Sequence, residues 1–587
     1  MNSLPLNWQE WETKARASLV AARKTRKAAN RLRNKNREIW TLDCETDPFE
    51  AGVIPEPFLW GLYDGAADRY HEFKSADAAA DFIRDKAIII YAHNGGKFDY
   101  HYMKPHFNSD EKIMVIGQRI ARFRIGEAEL RDSVNLLPVK LADFEKSKID
   151  YSIMRKDERD KPHNRRLIEL YLKSDCVNLY NFVREFLTRY GMHLTQASAA
   201  MSYWSKTYNV TIPRQSPARF QELRPFYYGG RVQCFESGYA ETEFKVLDVN
   251  SAYPYAMMHK HPFSVGMNTS NKLPTDRAKL ETAMIRLTAV AKGCFPLRDV
   301  DGSLFFPSDE RKGREYSITG WELIAALETN SVEIIRIKEV RTFDQLIDFG
   351  EYVAHFYDER RKAKSIGDKA GDIFAKIFLN SLYGKFAANP EKYQDYIITH
   401  SDRIVEYQGE GYALNSDWDS GRVFLSRPLR EERRRYFNLA TAASITGFVR
   451  AYLWRAINEC TGVLYCDTDS IAARTTGTLN LGDKLGEWKT EIECDRYAIA
   501  GKKLYAFHNS RAEIGAVDEW KTACKGVQLT ASQIIRVARR QTVRVTSEVP
   551  TYSVHRGAPI FIPRSIRNTA KDISRFPAPL APARKTA

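Results

Sequence analysis

No C-x-x-C pair occurs among the eight cysteines, Cys44, Cys176, Cys234, Cys294, Cys460, Cys466, Cys494 and Cys524. Scattered in this way they suggest neither a zinc ribbon nor a disulfide framework, and a reducing cytoplasm suits them best. No apolar run approaches bilayer length, so no membrane partner is expected, and the opening MNSLPLNWQEWETK does not read as a signal peptide. Negative charge is missing between Glu12 and Glu38, where the chain carries only basic charge from Lys14 to Arg37, with alanines between. That arm reads as a helix, either with a solvated face or in contact with phosphate on DNA or on a partner.

What is present is a globular composition: 587 residues, 43% hydrophobic and 12% aromatic. That length is enough for roughly two to four domains and a sizeable core. The formal net charge is +15 even though 74 acidic residues are retained. A basic surface that keeps many acids suits a polyanion partner together with a few acids that hold metal, and nucleic acid leads among such partners.

The chain is organised around LYCDTDSI, Leu464 to Ile471. Asp467 and Asp469 flank Thr468, so on a strand or tight hairpin they project to one side. Close carboxylates repel unless a cation neutralises them, and hard oxygen ligands suit magnesium. Alone, such a pair is equally a surface turn. A third acid, Asp248, sits at the tip of the apolar run in FKVLDVNSAYPYAMM, where the chain turns back into a helix at Asn250 to Pro254. Free amides at that turn could receive phosphate, and Tyr253 could pack beneath a sugar.

The first third of the chain holds a different set of acids. Asp43 and Glu45 end the strand EIWTLDCET and share a face by its period of two. AIIIYAHNGGKFDY leads through a strand and glycine break to Phe98 and Asp99. In ELYLKSDCVNLYNFV, Tyr171 and Asp175 lie one helical turn apart. Four carboxylates from two strands, a loop and a helix match the needs of two-metal phosphodiester hydrolysis, with Tyr171 placed to orient water. Further on, FAKIFLNSLYGKF puts Lys376, Asn380 and Tyr383 on one helical stripe opposite Phe374, Phe378 and Leu382. Arg360 and Lys364 are a turn apart on the preceding helix, and the two helices break near Ser365 to Gly367. This pair is either an amphipathic hairpin with a wet face or a grip for triphosphate.

Together DCET, NGGKFD and YLKSD resemble the three exonuclease motifs of family B DNA polymerases. FYYGGR resembles the Y-x-G-G linker motif of the protein-primed branch, and DVNSAYP resembles motif A, with Ala252 where a larger apolar residue is usual. FAKIFLNSLYGKF is similar to motif B, YCDTDS to motif C and GKKLYAF to the K-x-Y motif. The details look most like tectivirus-type protein-primed polymerases, over roughly Ile39 to Val527.

The resemblance implies an α/β and α+β multidomain fold, with a ribonuclease H-like exonuclease domain and a right-hand polymerase of palm, fingers and thumb. The implied division is 1–37 basic arm, 38–190 exonuclease, 191–261 first palm part and 262–355 first terminal-protein insertion. It continues with 356–390 fingers, 391–435 second terminal-protein insertion, 436–500 palm, 501–560 thumb and 561–587 a disordered Pro-rich basic tail.

The resemblance also implies roles. Asp248, Val249 and Asp469 are metal positions of the polymerase site, and Asp467 shapes its charge. Asp43, Glu45, Asp99 and Asp175 are metal positions of the exonuclease site, with Tyr171 beside them and Lys140 or Lys146 assisting. Ser251, Tyr253, Arg360, Lys364, Lys376, Asn380 and Tyr383 bind nucleotide, Tyr253 excluding the ribose 2′-hydroxyl. Asn94, Phe98, Ser133, Tyr227, Gly229, Gly230, Lys503 and Tyr505 bind DNA, with Lys502 an alternative to Lys503. Two Mg²⁺ per site are implied, with Mn²⁺ as a substitute. The implied partners are template-primer DNA, dNTPs and a terminal protein used as primer, and a monomer in the cytoplasm (the host's, if the source is a virus) is expected. The implied activity is DNA-directed DNA synthesis with 3′–5′ proofreading, replicating a linear genome with strand displacement. The competing readings are a relative that uses nucleic-acid primers or primes itself, and a nuclease or DNA-binding scaffold with an inactive polymerase site.

Overall fold

The computed structural model describes residues 37–140, 149–264, 266–308, 313–418 and 421–570. The expected basic arm up to residue 36, Lys146 and the tail from residue 571 lie outside the described residues. Among the described residues no helix is long and apolar enough to cross a membrane.

The first half of the fold is built on seven strands: β1 (Ile39–Thr46), β2 (Pro57–Asp64), β3 (Arg69–Phe73), β4 (Ile89–Ala92), β5 (Glu111–Ile116), β6 (Arg119–Ile125) and β7 (Ala128–Asp132). β1, β4 and β7 run parallel at the centre, where four successive apolar residues of β4 are all buried. That is the expected pattern for a strand covered on both faces. Helix Ala76–Ile83 packs on the face carrying Trp40 and Leu42. Helix Pro162–Tyr190 covers the other face, where the Thr41 hydroxyl donates to the Cys176 carbonyl at 2.7 Å. The period of two therefore sends Asp43 and Glu45 toward the long helix.

β8 (Val232–Cys234) and β9 (Gly238–Val249) belong to a second sheet. A further lobe follows, sharing one core cluster with the second sheet and its helices, made of β10 (His261–Pro262), β11 (Met267–Ser270), β12 (Met284–Ala291), β13 (Leu297–Arg298), β14 (Leu304–Phe305), β15 (Arg314–Thr319), β16 (Val332–Phe343) and β17 (Leu346–Ile347). Its main sheet has the order β11-β16-β12-β15, and its helix Gly320–Glu328 packs on helix Leu439–Glu459. Helices Gly350–Ile366 and Lys369–Phe386 form an antiparallel pair, with the break at Gly367 in the left-handed region (φ 73°). Apolar residues of both helices, including Phe356, Phe374 and Phe378, join the largest core cluster.

β18 (Gln394–His400), β19 (Ala413–Trp418) and β20 (Arg422–Pro428) fall in the span expected as the second insertion. They do not stand alone. β18 pairs with β5, so the first sheet becomes ten strands in the order β19-β20-β18-β5-β6-β7-β4-β1-β2-β3. Lys112 of β5 pairs across this seam with buried Asp395 of β18, which also pairs with Arg433 on its own side.

The second sheet is completed by β21 (Thr461–Asp467), β22 (Ser470–Thr475), β23 (Trp488–Gly501), β24 (Leu504–Asn509) and β25 (Trp520–Cys524), in the order β25-β24-β23-β9-β22-β21-β8. Leu247, Val249 and Ile471 face the helices, while Phe244, Val246 and Tyr505 face the other way. Asp248 shares the second face by period. Two expected boundaries shift. Residues 501–524, expected as thumb, continue the palm-position sheet through β24 and β25. Residues 561–570, expected within the disordered tail, are instead part of the fold: β27 (Arg564–Ile566) pairs with β26 (Val543–Val545), and the Thr569 amide donates to the Ala500 carbonyl at 2.9 Å.

Candidate active sites

The first site lies where β9, β21 and β22 meet. The register pairs Asp248 with Ser470, and the Val249 amide donates to the Asp469 carbonyl at 2.9 Å, so the two acids occupy neighbouring strand ends. Asp467 ends β21, and Thr468 turns the chain in the left-handed region at φ 62°. The Asp469 amide closes the turn on the Asp467 carbonyl at 2.7 Å. The three acids differ in their surroundings. Asp467 is already engaged: Lys503 Nζ lies 3.1 Å from its Oδ1, and the Thr468 and Tyr465 hydroxyls donate to it. Burial, then Asp469 and Glu491, push Asp248 up to about 7. Burial and Asp467 push Asp469 up to about 6. Asp248 and Asp469 are thus a crowded pair that a cation would relieve.

Gly230 decides the shape of this turn. A Cβ there would stand 2.6 Å from Thr468 Cγ2, and the Thr468 amide donates to the Arg231 carbonyl at 2.6 Å. Gly229 has nothing within 4 Å of such an atom, so packing demands only the second glycine. On the activity that the resemblance implies, Gly230→Ala is expected to slow primer extension about 10- to 100-fold, equivalent to ~1.4–2.8 kcal/mol of barrier, and to leave the acids Asp43, Glu45, Asp99 and Asp175 untouched. Adding Thr468→Gly removes the clash and should recover most of the rate. Wild-type extension by the single variant would refute the fit.

Arg450 holds the same loop from below. It donates to the Tyr228 and Gly229 carbonyls, each at 2.8 Å, and pairs with Glu322 at 2.8 Å, both side chains being buried. Sequence reasoning missed this pair. The available signal was a single charge inside the apolar helix GFVRAYLW, since lone buried charges require partners. Glu491, paired with Lys521 beside Asp248, was missed as well.

Around this site Tyr253 stacks on Tyr383 with centroids 4.2 Å apart and planes 3° from parallel. Ser251 caps the helix Ala252–Met257 from a left-handed conformation (φ 57°), and Ala252 is buried in the main core. A cleft of 1690 Å³ is lined by Arg360, Lys376, Asn380 and Tyr383 from the helical pair, and by β5 and β18 residues opposite. Arg360 is held by Asp372 at 2.8 Å. Lys364, expected beside Arg360, is exposed and does not line this cleft; the break at Gly367 leaves it at the hairpin's end. Lys503 reaches Asp467, whereas Lys502 donates to the Leu304 carbonyl, so of the two Lys503 is the one at the acid turn. Tyr505 is nearly buried, stacked on Phe507 at 4.3 Å, so it supports the hairpin and offers little surface to a ligand.

The second site is a cleft of 610 Å³ in the other half. Asp43, Glu45, Asn94, Phe98, Asp99, Tyr171 and Asp175 all line it. Gly61, paired with Asp43 on β2, makes this convergence fit: a Cβ there would stand 2.8 Å from Leu172 Cγ. The missing side chain lets the long helix approach the sheet and bring Tyr171 and Asp175 to the acids of β1. The Tyr171 and Tyr151 hydroxyls share a hydrogen bond of 3.1 Å. Asp99 is 2% exposed, and its Oδ1 has no hydrogen-bond partner among the described residues. Burial raises its pKa above the usual carboxylate range. Asn94 Oδ1 accepts from Arg119 at 2.7 Å. Lys140 is exposed outside this cleft. Ser133 is corrected: it is fully buried beneath the cleft, donating to the Ala92 carbonyl and sharing a bond with His93 Nδ1 at 3.0 Å. It holds the strand end and cannot touch a DNA strand.

Among the described residues no three His, Cys, Asp or Glu side chains stand close enough to hold a metal alone. Both sites nevertheless fit Mg²⁺, which takes one or two carboxylates and completes its shell with phosphate and water. The orphaned Asp99 Oδ1 and the raised Asp248 and Asp469 are what a cation would satisfy.

The family described as DNA polymerase type B, organellar and viral, matches residues 144–417. A DNA-directed DNA polymerase of Enterobacteria phage PRD1 is 39% identical over 482 residues, covering 80% of this chain and 83% of that one. The DNA polymerase of Bacillus phage phi29 is 28% identical over 328 residues, covering 51% and 52%. Among solved structures, phi29 DNA polymerase with primer-template DNA and incoming nucleotide matches with TM-score 0.67 at 17% identity, covering 91% of this chain and 100% of that one. The same polymerase with single-stranded DNA matches with TM-score 0.68 at 17% identity, again covering 91% and 100%.

Proposed function

Because this chain belongs to the protein-primed phage family of type B DNA polymerases and is a DNA-directed DNA polymerase, we propose that it combines two-metal nucleotidyl transfer with 3′–5′ proofreading and initiates on a terminal protein. The observation that carries this reading is the presence of two carboxylate sites in two different sheets of one chain.

In the polymerising site Asp248 and Asp469 are the ligands, with Val249 at the strand end beside them. Asp467, paired with Lys503, keeps the turn in shape. When bound, a pair of divalent cations supplies positive charge to the attacking and leaving oxygens. Lys376 and Arg360 bind the triphosphate; Arg360 exchanges Asp372 for phosphate, a bidentate partner of the same sign of charge. Asn380 and Tyr383 line the face where the new base pair forms, and Ser251 marks the phosphate-receiving turn. Tyr253, whose ring is stacked flat against Tyr383, is the residue that excludes a ribose 2′-hydroxyl. The Tyr227–Gly230 loop, clamped by Arg450, carries the template, and Lys503 lies near the primer end.

In the hydrolytic site Asp43, Glu45, Asp99 and Asp175 are the ligands, Tyr171 orients water, and Asn94 and Phe98 hold the single strand. The lobe 262–355 and the strands of 391–435 are the surfaces for the priming protein, and the latter assist strand displacement. The test of priming is transfer of labelled dNMP to a terminal protein encoded beside this gene, with Mg²⁺ and the origin end of the genome. A covalent protein–dNMP adduct is expected; its absence, with primer extension intact, refutes protein priming and favours nucleic-acid primers.

A further inference from the structure

The hydrolytic cleft has a wall that does not belong to its own sheet. Ser547, Val549, Pro550, Thr551 and Tyr552 line it together with the four acids. They come from the excursion between β26 and β27. Its root lies in the other half of the molecule, where Val543 packs with Ala498, Ala500 and Ala506 of β23 and β24. Thr551 bridges to Ile560 as an antiparallel pair, so the excursion is a long hairpin. Its tip is anchored on the first sheet. The Val554 side chain is fully buried in that sheet's core, Lys104 Nζ donates to the Gly557 carbonyl at 2.9 Å, and the Tyr552 and Tyr102 hydroxyls lie 2.6 Å apart.

Tyr552 is 5% exposed, and its ring stands 5.3 Å from Phe98 at 78°. Phe98 also meets Phe49 at 5.6 Å and 59°, and Tyr102 at 5.6 Å and 80°. Its ring plane is thus set by two edge contacts and one tilted contact, one of the edge contacts being supplied by a segment far away in sequence. Contacts of this kind favour tilted and perpendicular geometries and are sensitive to angle as well as bulk.

Resting on the reading of this cleft as the exonuclease site, we propose that Tyr552 is a positioning residue of the hydrolytic reaction. It fixes the plane of the Phe98 ring on which a single-stranded 3′ end stacks, and its hairpin forms the wall that orients the strand. The ligand class is a single-stranded DNA end, bound by stacking and tolerant of sequence.

The test uses the full chain with Mg²⁺ and a labelled oligothymidylate. Tyr552→Ala and Tyr552→Leu are expected to raise KM for degradation about tenfold, with kcat within about twofold. Tyr552→Phe, which keeps the ring, should stay within about threefold of wild type. Extension of a matched primer should change less than about twofold in all three. The phenylalanine variant retains the ring and nearly all of the buried volume while leucine and alanine lose the ring to different extents, so equal failure of leucine and alanine beside a working phenylalanine identifies ring geometry and not a graded loss of packing. Anisotropy of the same oligonucleotide in an Asp43→Ala/Asp99→Ala background should show the same weakening without turnover. Degradation that Asp43→Ala/Asp99→Ala leaves intact would overturn the reading of the cleft and the proposal together. Degradation that this pair abolishes, but that Tyr552→Ala leaves at wild-type KM, overturns the proposal alone. So does a proportional loss of degradation and extension.

Discussion

Asp248→Ala and Asp469→Ala are each expected to cut templated dNMP incorporation by about 10³- to 10⁴-fold, the equivalent of ~4–5.5 kcal/mol of barrier, while 3′–5′ degradation of single-stranded DNA survives. Asp248 lies near the end of β9 and Asp469 in the turn that opens β22, and neither lines the cleft of Asp43, Glu45, Asp99 and Asp175. Asp467→Ala should cost less, because Asp467 is occupied by Lys503 and two hydroxyls, and acts by holding the turn. Steady-state extension and degradation assays on one preparation check this, and loss of both activities together would argue against separate sites.

The same acids set a pH-dependent stability. Asp248 has a folded pKa raised to about 7 from 3.8, so the folded state favours its protonated form. The stability this contributes is fully present below about pH 4 and is lost as pH rises through about 7. In metal-free solution at pH 8, Asp248→Asn should therefore melt higher than wild type, by roughly 1–2 °C after discounting for partial exposure. The difference should vanish near pH 4 and reverse when Mg²⁺ is added, because only the carboxylate gains from the ion. Equal melting at both pH values would show that the acids are not crowded.

The parts of this molecule legible in its sequence are those written in local patterns. The alternation in IWTLDCET sends Asp43 and Glu45 to one face, and the one-turn spacing of Tyr171 and Asp175 puts them on another, so their meeting in one cleft follows from packing helix on sheet. The break between the helical pair is written at Gly367. Contacts made across hundreds of residues carry no such pattern. Nothing in QDYIITH announces that it adds to the edge of the first sheet through Ile113, or that RGAPIF follows a hairpin tip seated beside Phe98. Ser133 shows the opposite error. Its place after an acid at a strand end matched a ligand pattern, but the hydroxyl satisfies the Ala92 carbonyl inside the core. Whether a polar side chain turns toward a ligand or toward an unpaired backbone group depends on which neighbour needs a partner. That neighbour is known only once the fold is.

Asp43→Ala/Asp99→Ala is expected to lower 3′–5′ degradation of single-stranded DNA by at least about 10³-fold and to leave matched-primer extension within about twofold. Asp99 carries the larger part of this argument. Its side chain is buried at the start of helix Asp99–Tyr102, with one oxygen lacking a partner, a state that costs stability unless a ligand is bound. Asp43 sits on the face toward Asp175 and Tyr171, opposite the gap that Gly61 leaves for Leu172. Removing both leaves Glu45 and Asp175, each a single carboxylate, where binding a cation pair needs several. On the proposed reading the variant should also retain more misinserted nucleotides: primers ending in a mismatch are expected to be extended by the variant and to be shortened first by the wild type. Gel-resolved extension from matched and mismatched termini reads both effects in one experiment. Mismatch removal at wild-type rate by the double variant would show that hydrolysis occurs elsewhere. Loss of extension along with hydrolysis would place the two reactions in one site, against the separation of the two clefts by the fold.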